Sequence, residues 1–287
     1  MEGAKIFSLK YEISWLLEVA SYCAVNCYGI ISGYVMINSK YKFERIISLW
    51  FEVITYSVMI YLLFLVFEPS KFSFKELINC CTPTFSEKYW YFTSYFGMFI
   101  LIPVLNNIVH IMKKNHLDKV MFVGTIIFGA LPLFRRADPF KINYGYSMIW
   151  LCFLYVIGGY IKKYEIDKKI SVKISAVGYF TCVIVTWLSK LVIELLTKRV
   201  IGRAAGGAML IKYTSPTIIF AGIFLVLFFV KIEINSNIFK KGISMFAPTS
   251  FAVYLIHEHN SVSGKFILNK FAALLDLNVV LMLMGLY

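Results

Sequence analysis

Charge is what this sequence has little of. Only 16% of its 287 residues are Asp, Glu, Lys or Arg, and they bunch between long apolar runs. The hydrophobic share is 59%, against roughly 45–50% in ordinary soluble domains, so a soluble domain is not expected. The opening MEGAKIFSLKYEIS is not expected to be a signal peptide, having no basic-then-apolar stretch and no small-residue cleavage site. Internal repeats and low-complexity tracts are absent, and the apolar runs do not alternate as barrel strands would. The six cysteines, Cys23, Cys27, Cys80, Cys81, Cys152 and Cys182, show no zinc spacing with histidine partners. Most sit in apolar runs, where a thiol is a small hydrophobe. Neither a metal nor a structural disulfide is expected. The Gly-rich IGRAAGGAML, 201–210, lacks GK[ST] and reads as a flexible loop, not a phosphate-binding one.

What is present is apolar length, rich in aromatics: 26 Phe, 19 Tyr and 5 Trp. A membrane span needs about 20 mostly apolar residues. The candidates are 14–37, 46–67, 89–112, 120–134, 145–161, 172–197, 214–230 and 243–257. A ninth stretch, 266–287, is interrupted by Lys270, Asp276 and Asn278. In lipid each backbone polar group must be satisfied within its own segment or in a closed barrel. The expected fold class is therefore all-α, a polytopic integral membrane bundle of about eight or nine spanning helices. One domain is expected over residues 1–287. The net charge of +13 fits loop lysines that set topology and meet anionic lipid headgroups; nucleic acid is not an expected partner. Basic residues are densest in 38–45, 113–119, 162–171 and 231–242, which places those loops in the cytoplasm and residues 1–13 outside. The 68–88 loop is amphipathic and is expected on the outer surface.

Charges inside spans are costly, so each is a functional candidate. Glu18 and Glu52 read either that way or as headgroup-level and interhelical hydrogen bonding. Lys190 and Glu194, at i and i+4, meet on one helix face and read as a structural ion pair. His110 and His116 flank a lysine-rich turn as solvated loop residues. The sharper question is posed by FAVYLIHEHNSV, 251–262. His257 and His259 are two residues apart, point to different sides of a helix and cannot form an HExxH-type zinc pair. Glu258 between them could orient an imidazole or move a proton, and histidine is the natural general base near neutral pH. The competing reading is a polar helix end at the interface. Upstream, a span ends in Ser-Gly-Tyr and is followed by Lys40, Lys42 and Arg45. Such cations suit the phosphates of a donor such as acyl-CoA, and they equally satisfy the positive-inside rule.

Taken in order, three stretches resemble the membrane-bound acyltransferase family 3, the bacterial polysaccharide O-acetyltransferases. They are VNCYGIISGYVM with the basic KYKFERI, then YWYFTSYFGMFILIPVLNNIV at 89–109, then YSMIWLCFLYVIGGYIKKY followed much later by FAVYLIHEHNSV. The likeness covers nearly the whole chain. It implies a multi-pass protein of the bacterial cell membrane. Such a protein moves an acetyl or other acyl group from cytoplasmic acetyl-CoA (acyl-CoA) to a hydroxyl of a cell-surface glycan or lipid-linked oligosaccharide. Members usually begin with a helix carrying a basic residue and a histidine. This chain starts after that point and stops about where a last span would finish, so it is expected to be incomplete at both ends. Of the family's arginine pair, Arg45 matches one position and Lys42 stands at the other; both are expected at the donor. The resemblance favours a functional His257, which with Glu258 lines the acceptor side. Trp90 and Tyr95 lie nearby as flat sugar platforms. Alternatives are a non-enzymatic glycan transporter, against which the lack of repeats counts, and a truncated inactive relative.

Overall fold

The computed structural model describes residues 6–86, 88–135, 138–267, 270, 274 and 277–286, and their regular structure is helical throughout. In chain order the helices are α1 (Leu9–Tyr22), α2 (Ala24–Met36), α3 (Glu44–Phe67), α4 (Phe74–Cys81), α5 (Trp90–Ile111), α6 (Lys114–Gly124), α7 (Leu131–Arg135), α8 (Met148–Lys163), α9 (Ile166–Lys169), α10 (Val172–Ile201), α11 (Pro216–Phe229), α12 (Asn237–Phe246), α13 (Thr249–Glu258), α14 (Asn260–Val262) and α15 (Val279–Leu286). Five stretches are long and apolar enough to cross a membrane: Leu9–Met36, Glu44–Phe67, Trp90–Ile111, Lys114–Leu133 and Val172–Ile201. Serine caps start several of these helices. Ser8, Ser147 and Ser171 each accept from the backbone N–H three residues on, which satisfies one of the orphan donors of a first turn.

Two expected runs behave differently from a plain span. The run 243–257 is two helices, because α12 ends at Phe246 and α13 begins at Thr249. Pro248 lies between them and has no N–H to continue the ladder. The run 120–134 is continuous helix but passes through a π-helical stretch, Thr125–Ala130, just ahead of Pro132; a proline crowds and unbonds the turn before it. The ninth stretch is described only in part, and Asp276 lies outside the described residues, as do residues 1–5 of the expected outer N-terminus.

The chain gathers into two compact units. One takes described residues from 42–99 and 233–286, the other from 6–41 and 100–232. In the second unit α2 and α8 meet backbone to backbone. A Cβ on Gly33 would fall 1.9 Å from the Tyr155 carbonyl oxygen, and one on Gly158 would fall 1.9 Å from the Ile30 carbonyl oxygen. Small residues let helices approach this closely, and packing of this kind holds membrane bundles together. Polar bonds lock the contact. The Asn26 amide donates to the Tyr213 carbonyl at 2.8 Å, and its oxygen accepts from the buried Trp150 indole at 3.1 Å. The Tyr34 hydroxyl donates to Asp167 at 2.9 Å. The glycine and tyrosine of Ser-Gly-Tyr thus serve packing and orientation inside this unit. Gly33→Ala or Gly158→Ala is expected to force α2 and α8 apart at a cost of about 1–3 kcal/mol. The midpoint of thermal denaturation in detergent should fall; an unchanged midpoint would rule out this packing.

In the first unit α3 presents Ile46, Val53, Ser57 and Ile60 inward. The short α4 lies over it, tied by the Tyr61 hydroxyl, which accepts from Ser73 N–H at 2.8 Å and donates to the Ser73 carbonyl at 3.0 Å. Ser73 also caps α4 by accepting from Glu76 N–H. The Ser73–Glu76 spacing is that of a capping box, yet the Glu76 carboxylate turns away from the helix start, toward Lys88 and Asn79.

Candidate functional site

The inner face of the first unit is an apolar cluster of Val53, Tyr89, Phe92 and Leu255, with Trp50, Phe96, Phe251 and Tyr254 packed against it. Polar groups sit at its margin. Ser57 follows Val53 by one turn of α3, Tyr89 immediately precedes α5, and His259 immediately follows α13; all three are fully buried. Ser57 Oγ, Tyr89 OH and His259 Nε2 have no hydrogen-bond partner among the described residues. The Tyr89 hydroxyl lies against the Ser57 side chain, and the His259 ring lies beside the Ser57 main chain. Unpaired buried polar groups each cost free energy, and a native fold keeps them where a ligand or water completes them. Here the three gather around Ser57.

The His259 ring is oriented from behind. Ser261 N–H donates to Nδ1 at 3.2 Å, which leaves that nitrogen unprotonated and puts the ring proton on Nε2. His259 lies beyond the apolar run of α13 and beside the 68–88 loop. Burial, with the Lys88 ammonium close by, pushes its imidazole down to about 4. It is neutral at pH 7, with Nε2–H on the side of the Ser57 main chain. Against an ordinary value of 6.5, the neutral ring favours the folded state fully above that pH. The contribution is lost as pH falls through about 4.

Beyond His259 stand Glu76, Cys80 and Lys88. Lys88 is 3% exposed and donates to Glu76 Oε1 at 2.8 Å and to the buried Cys80 Sγ at 3.0 Å. Burial opposes ionisation of Glu76, but the Lys88 and Asn79 hydrogen bonds overcome it and hold its carboxyl below the usual range. The niche therefore has a fixed cation and a fixed anion, Lys88 and Glu76, both in electrostatic reach of His259.

The residues singled out from sequence distribute as follows. His257 is exposed, its Nδ1 2.8 Å from the Val253 carbonyl. Glu258 is also exposed and lies in electrostatic reach of Tyr89 and Tyr254. Trp90 and Tyr95 are half-buried on the first turns of α5, both against Tyr91, with ring centroids 5.7 and 6.1 Å away. Tyr91 in turn meets Tyr254 edge-on at 5.9 Å, and the Tyr254 hydroxyl accepts from Tyr91 N–H at 3.2 Å. Trp90 and Tyr95 thus share Tyr91 as a neighbour, and Tyr254 links that aromatic group to Glu258. Lys42 and Arg45 are exposed at the start of α3. Arg45 and Ser57 are about 18 Å apart along that helix, at 1.5 Å per residue. Between them, Ile47, Trp50, Thr84, Phe85 and Phe96 line a cavity of about 210 Å³. Sequence reasoning missed Ser57, Cys80, Lys88, Tyr89 and the inward direction of His259. The one available signal was the amphipathic 68–88 segment, too polar to be a span and too patterned to be a plain loop.

The second unit holds a different charged cluster. Lys190 is fully buried, 3.1 Å from both Glu12 carboxylate oxygens and 2.9 Å from Glu194 Oε2. Its ammonium sits 4.0 Å from the Tyr11 ring centroid, and the Tyr11 hydroxyl donates to Glu194 Oε1 at 3.0 Å. A Cβ on Gly207 would fall 2.3 Å from Glu194 Oε1, so the glycine makes room for the carboxylate. Every charge here is spent on a neighbour, which suits a structural role. Among the described residues no group of three or more His, Cys, Asp and Glu could hold a metal ion.

Long apolar helices of this kind are the frame of an integral membrane protein. The family model of an acyltransferase domain, that of acyltransferase family 3, matches residues 4–286. The chain belongs to that family, and it is a membrane acyltransferase. Comparison with curated proteins and with solved structures finds no match.

Proposed function

We propose that the chain transfers an acetyl or similar short acyl group from cytoplasmic acyl-CoA to a hydroxyl of a cell-surface or lipid-linked glycan, in a bacterial cell membrane. The observation that carries this reading is the line along α3. Exposed cations stand at its start, a cavity follows, and three unpaired buried polar groups gather one helical stretch further on. Lys42 and Arg45 would hold the donor phosphates, Arg45 by paired N–H bonds and Lys42 as a point charge. The pantetheine arm would run along the cavity and bring the thioester to the niche. There His259 Nε2–H and the Tyr89 and Ser57 hydroxyls are donors for the oxygen that becomes anionic as the carbonyl is attacked. Trp90, Tyr95 and Glu258 at the rim offer flat apolar faces and a hydrogen-bonding carboxylate, the pair of features that a sugar ring uses. His257 stands outside them.

The test is transfer itself. Membranes containing the full chain are given radiolabelled acetyl-CoA and a surface glycan, and alkali-labile acetyl on the glycan is counted; no acetyl above control membranes would overturn the reading. Arg45→Ala is expected to raise the KM for acetyl-CoA about tenfold, from the loss of a charge-assisted contact worth about 1.5 kcal/mol, with kcat little changed. An unchanged KM would remove Arg45 from the donor site.

A further inference from the structure

The second unit carries a cavity that transfer as described leaves unused. Val120, Val123 and Gly124 of α6, Ile127 and Phe128 of the π-helical stretch and Phe153 of α8 line it, with Lys119 at one end. Its volume is about 370 Å³, the size of a small-ligand pocket. Val120 and Val123 are exposed, whereas Gly124 and Phe153 are buried, so the cavity opens outward from the contact of α6 with α8. A Cβ on Gly124 would fall 2.4 Å from the Phe153 ring, so the glycine lets that ring close the floor. Phe128 meets Phe153 edge-on at 5.6 Å. The lining is apolar and lies along Lys114–Leu133, one of the stretches long and apolar enough to cross a membrane. The medium at its mouth is therefore hydrocarbon. Two further observations are independent of the cavity. Lys119 is exposed and has no ion pair among the described residues, and the adjacent Asp118 is already held by Lys114 at 2.9 Å. Lys119 stands about 7.5 Å along the helix from Lys114, at 1.5 Å per residue, so its stem can line the slot while its ammonium extends to headgroup level. Ile127 and Phe128 belong to a π-helical turn, an irregularity that recurs at functional sites.

We propose that this cavity binds an anionic phospholipid, with one acyl chain along Val120, Val123 and Ile127 and the headgroup phosphate at Lys119. The apolar slot, bordered by hydrocarbon, admits a chain and rejects a polar solute. The charge at its end selects the headgroup. Lys119 is not neutralised by a neighbour, and Lys113, also exposed, adds to the positive field on the same side. A headgroup of net negative charge satisfies such a site better than a zwitterionic one, whose own cation competes for the phosphate. Basic pockets at the cytoplasmic ends of spanning helices recognise acidic headgroups in this way. The site needs nothing from the transfer reaction. A lipid held there touches both α6 and α8, and because it binds the folded chain it stabilises that fold by mass action.

The experiment counts bound lipid. The full chain, purified in detergent and stripped of lipid, is titrated with phosphatidylglycerol or with phosphatidylcholine of identical acyl chains and read by native mass spectrometry. The expected result is a discrete one-to-one phosphatidylglycerol adduct. It should be about fivefold tighter than the phosphatidylcholine adduct, the discrimination that one lysine gives at a charged lipid surface. The thermal midpoint should rise with added phosphatidylglycerol. Lys119→Gln should bring phosphatidylglycerol down to the phosphatidylcholine affinity, with lipid still bound. Val123→Trp fills the cavity and should weaken both lipids. Lys119 is exposed, so its replacement leaves packing in place and the charge arm stays readable even where the tryptophan variant folds poorly. Equal affinity for the two lipids overturns the site. So does a preference that survives Lys119→Gln, or a folded Val123→Trp chain that binds both lipids as the wild type does. A dimer in place of the lipid adduct, broken by Val123→Trp, also overturns it and gives the cavity to a second copy of the chain.

Discussion

His259→Ala is expected to lower acyl transfer by about a hundred- to a thousandfold, the usual cost of removing one oxyanion donor from a water-poor site. Protein level in the membrane is read alongside, because loss of the buried ring also takes the acceptor from Ser261 N–H. His259→Gln distinguishes donation from proton transfer. The glutamine amide N–H reaches about where Nε2–H lies, so a donor role predicts a substantial part of the rate restored. A base role predicts none. His257→Ala, run alongside, decides between the two imidazoles. The His257 ring is exposed and turned back on the Val253 carbonyl, so its loss is expected to have the smaller effect. Should His257→Ala abolish transfer while His259→Ala leaves it intact, the niche is not where the acyl group moves.

That contrast shows what the sequence made legible and what it did not. Composition and long apolar runs were enough for an all-α membrane bundle, because spanning length and backbone satisfaction leave few alternatives. The HEH triplet was also visible as a site of interest. Its direction was not. Residues two apart on a helix face different ways, and which one faces inward depends on where α13 stops. It stops at Glu258, so that His259 adopts an extended backbone and its ring enters the protein. Cys80 and Lys88 were hidden for a related reason. They are eight residues apart, a separation that no motif defines, and they meet across the turn after α4, where Ser86 donates through its N–H to the Thr82 carbonyl and through its hydroxyl to the Asn79 carbonyl. The Ser-Gly-Tyr stretch was read beside the basic cluster, whereas Gly33 is held by contact with Tyr155 on α8. Packing partners of that kind lie more than a hundred residues away and leave no local mark.

Lys190 gives the second large expectation, this time in stability. The sequence showed its i, i+4 partner Glu194; the structure adds Glu12 from α1, so one ammonium bridges two carboxylates. Side-chain exposure is 0% for Lys190, 14% for Glu12 and 7% for Glu194, so water cannot take over when a partner is removed. Lys190→Met is therefore expected to destabilise the chain by about 3–5 kcal/mol, the range seen when one member of a buried ion pair is deleted. Two carboxylates would then face each other beside Tyr11 with no cation between them. The triple variant Lys190→Met, Glu12→Gln and Glu194→Gln removes all the charge together. It should recover most of the loss, because the desolvation cost of the ions disappears with their attraction. The thermal midpoint of detergent-solubilised protein reads both. A single variant as stable as the wild type would mean that water or lipid headgroups reach the cluster. A triple variant no better than the single would mean that the cluster's hydrogen-bond geometry, with Tyr11 donating to Glu194, matters more than its charge.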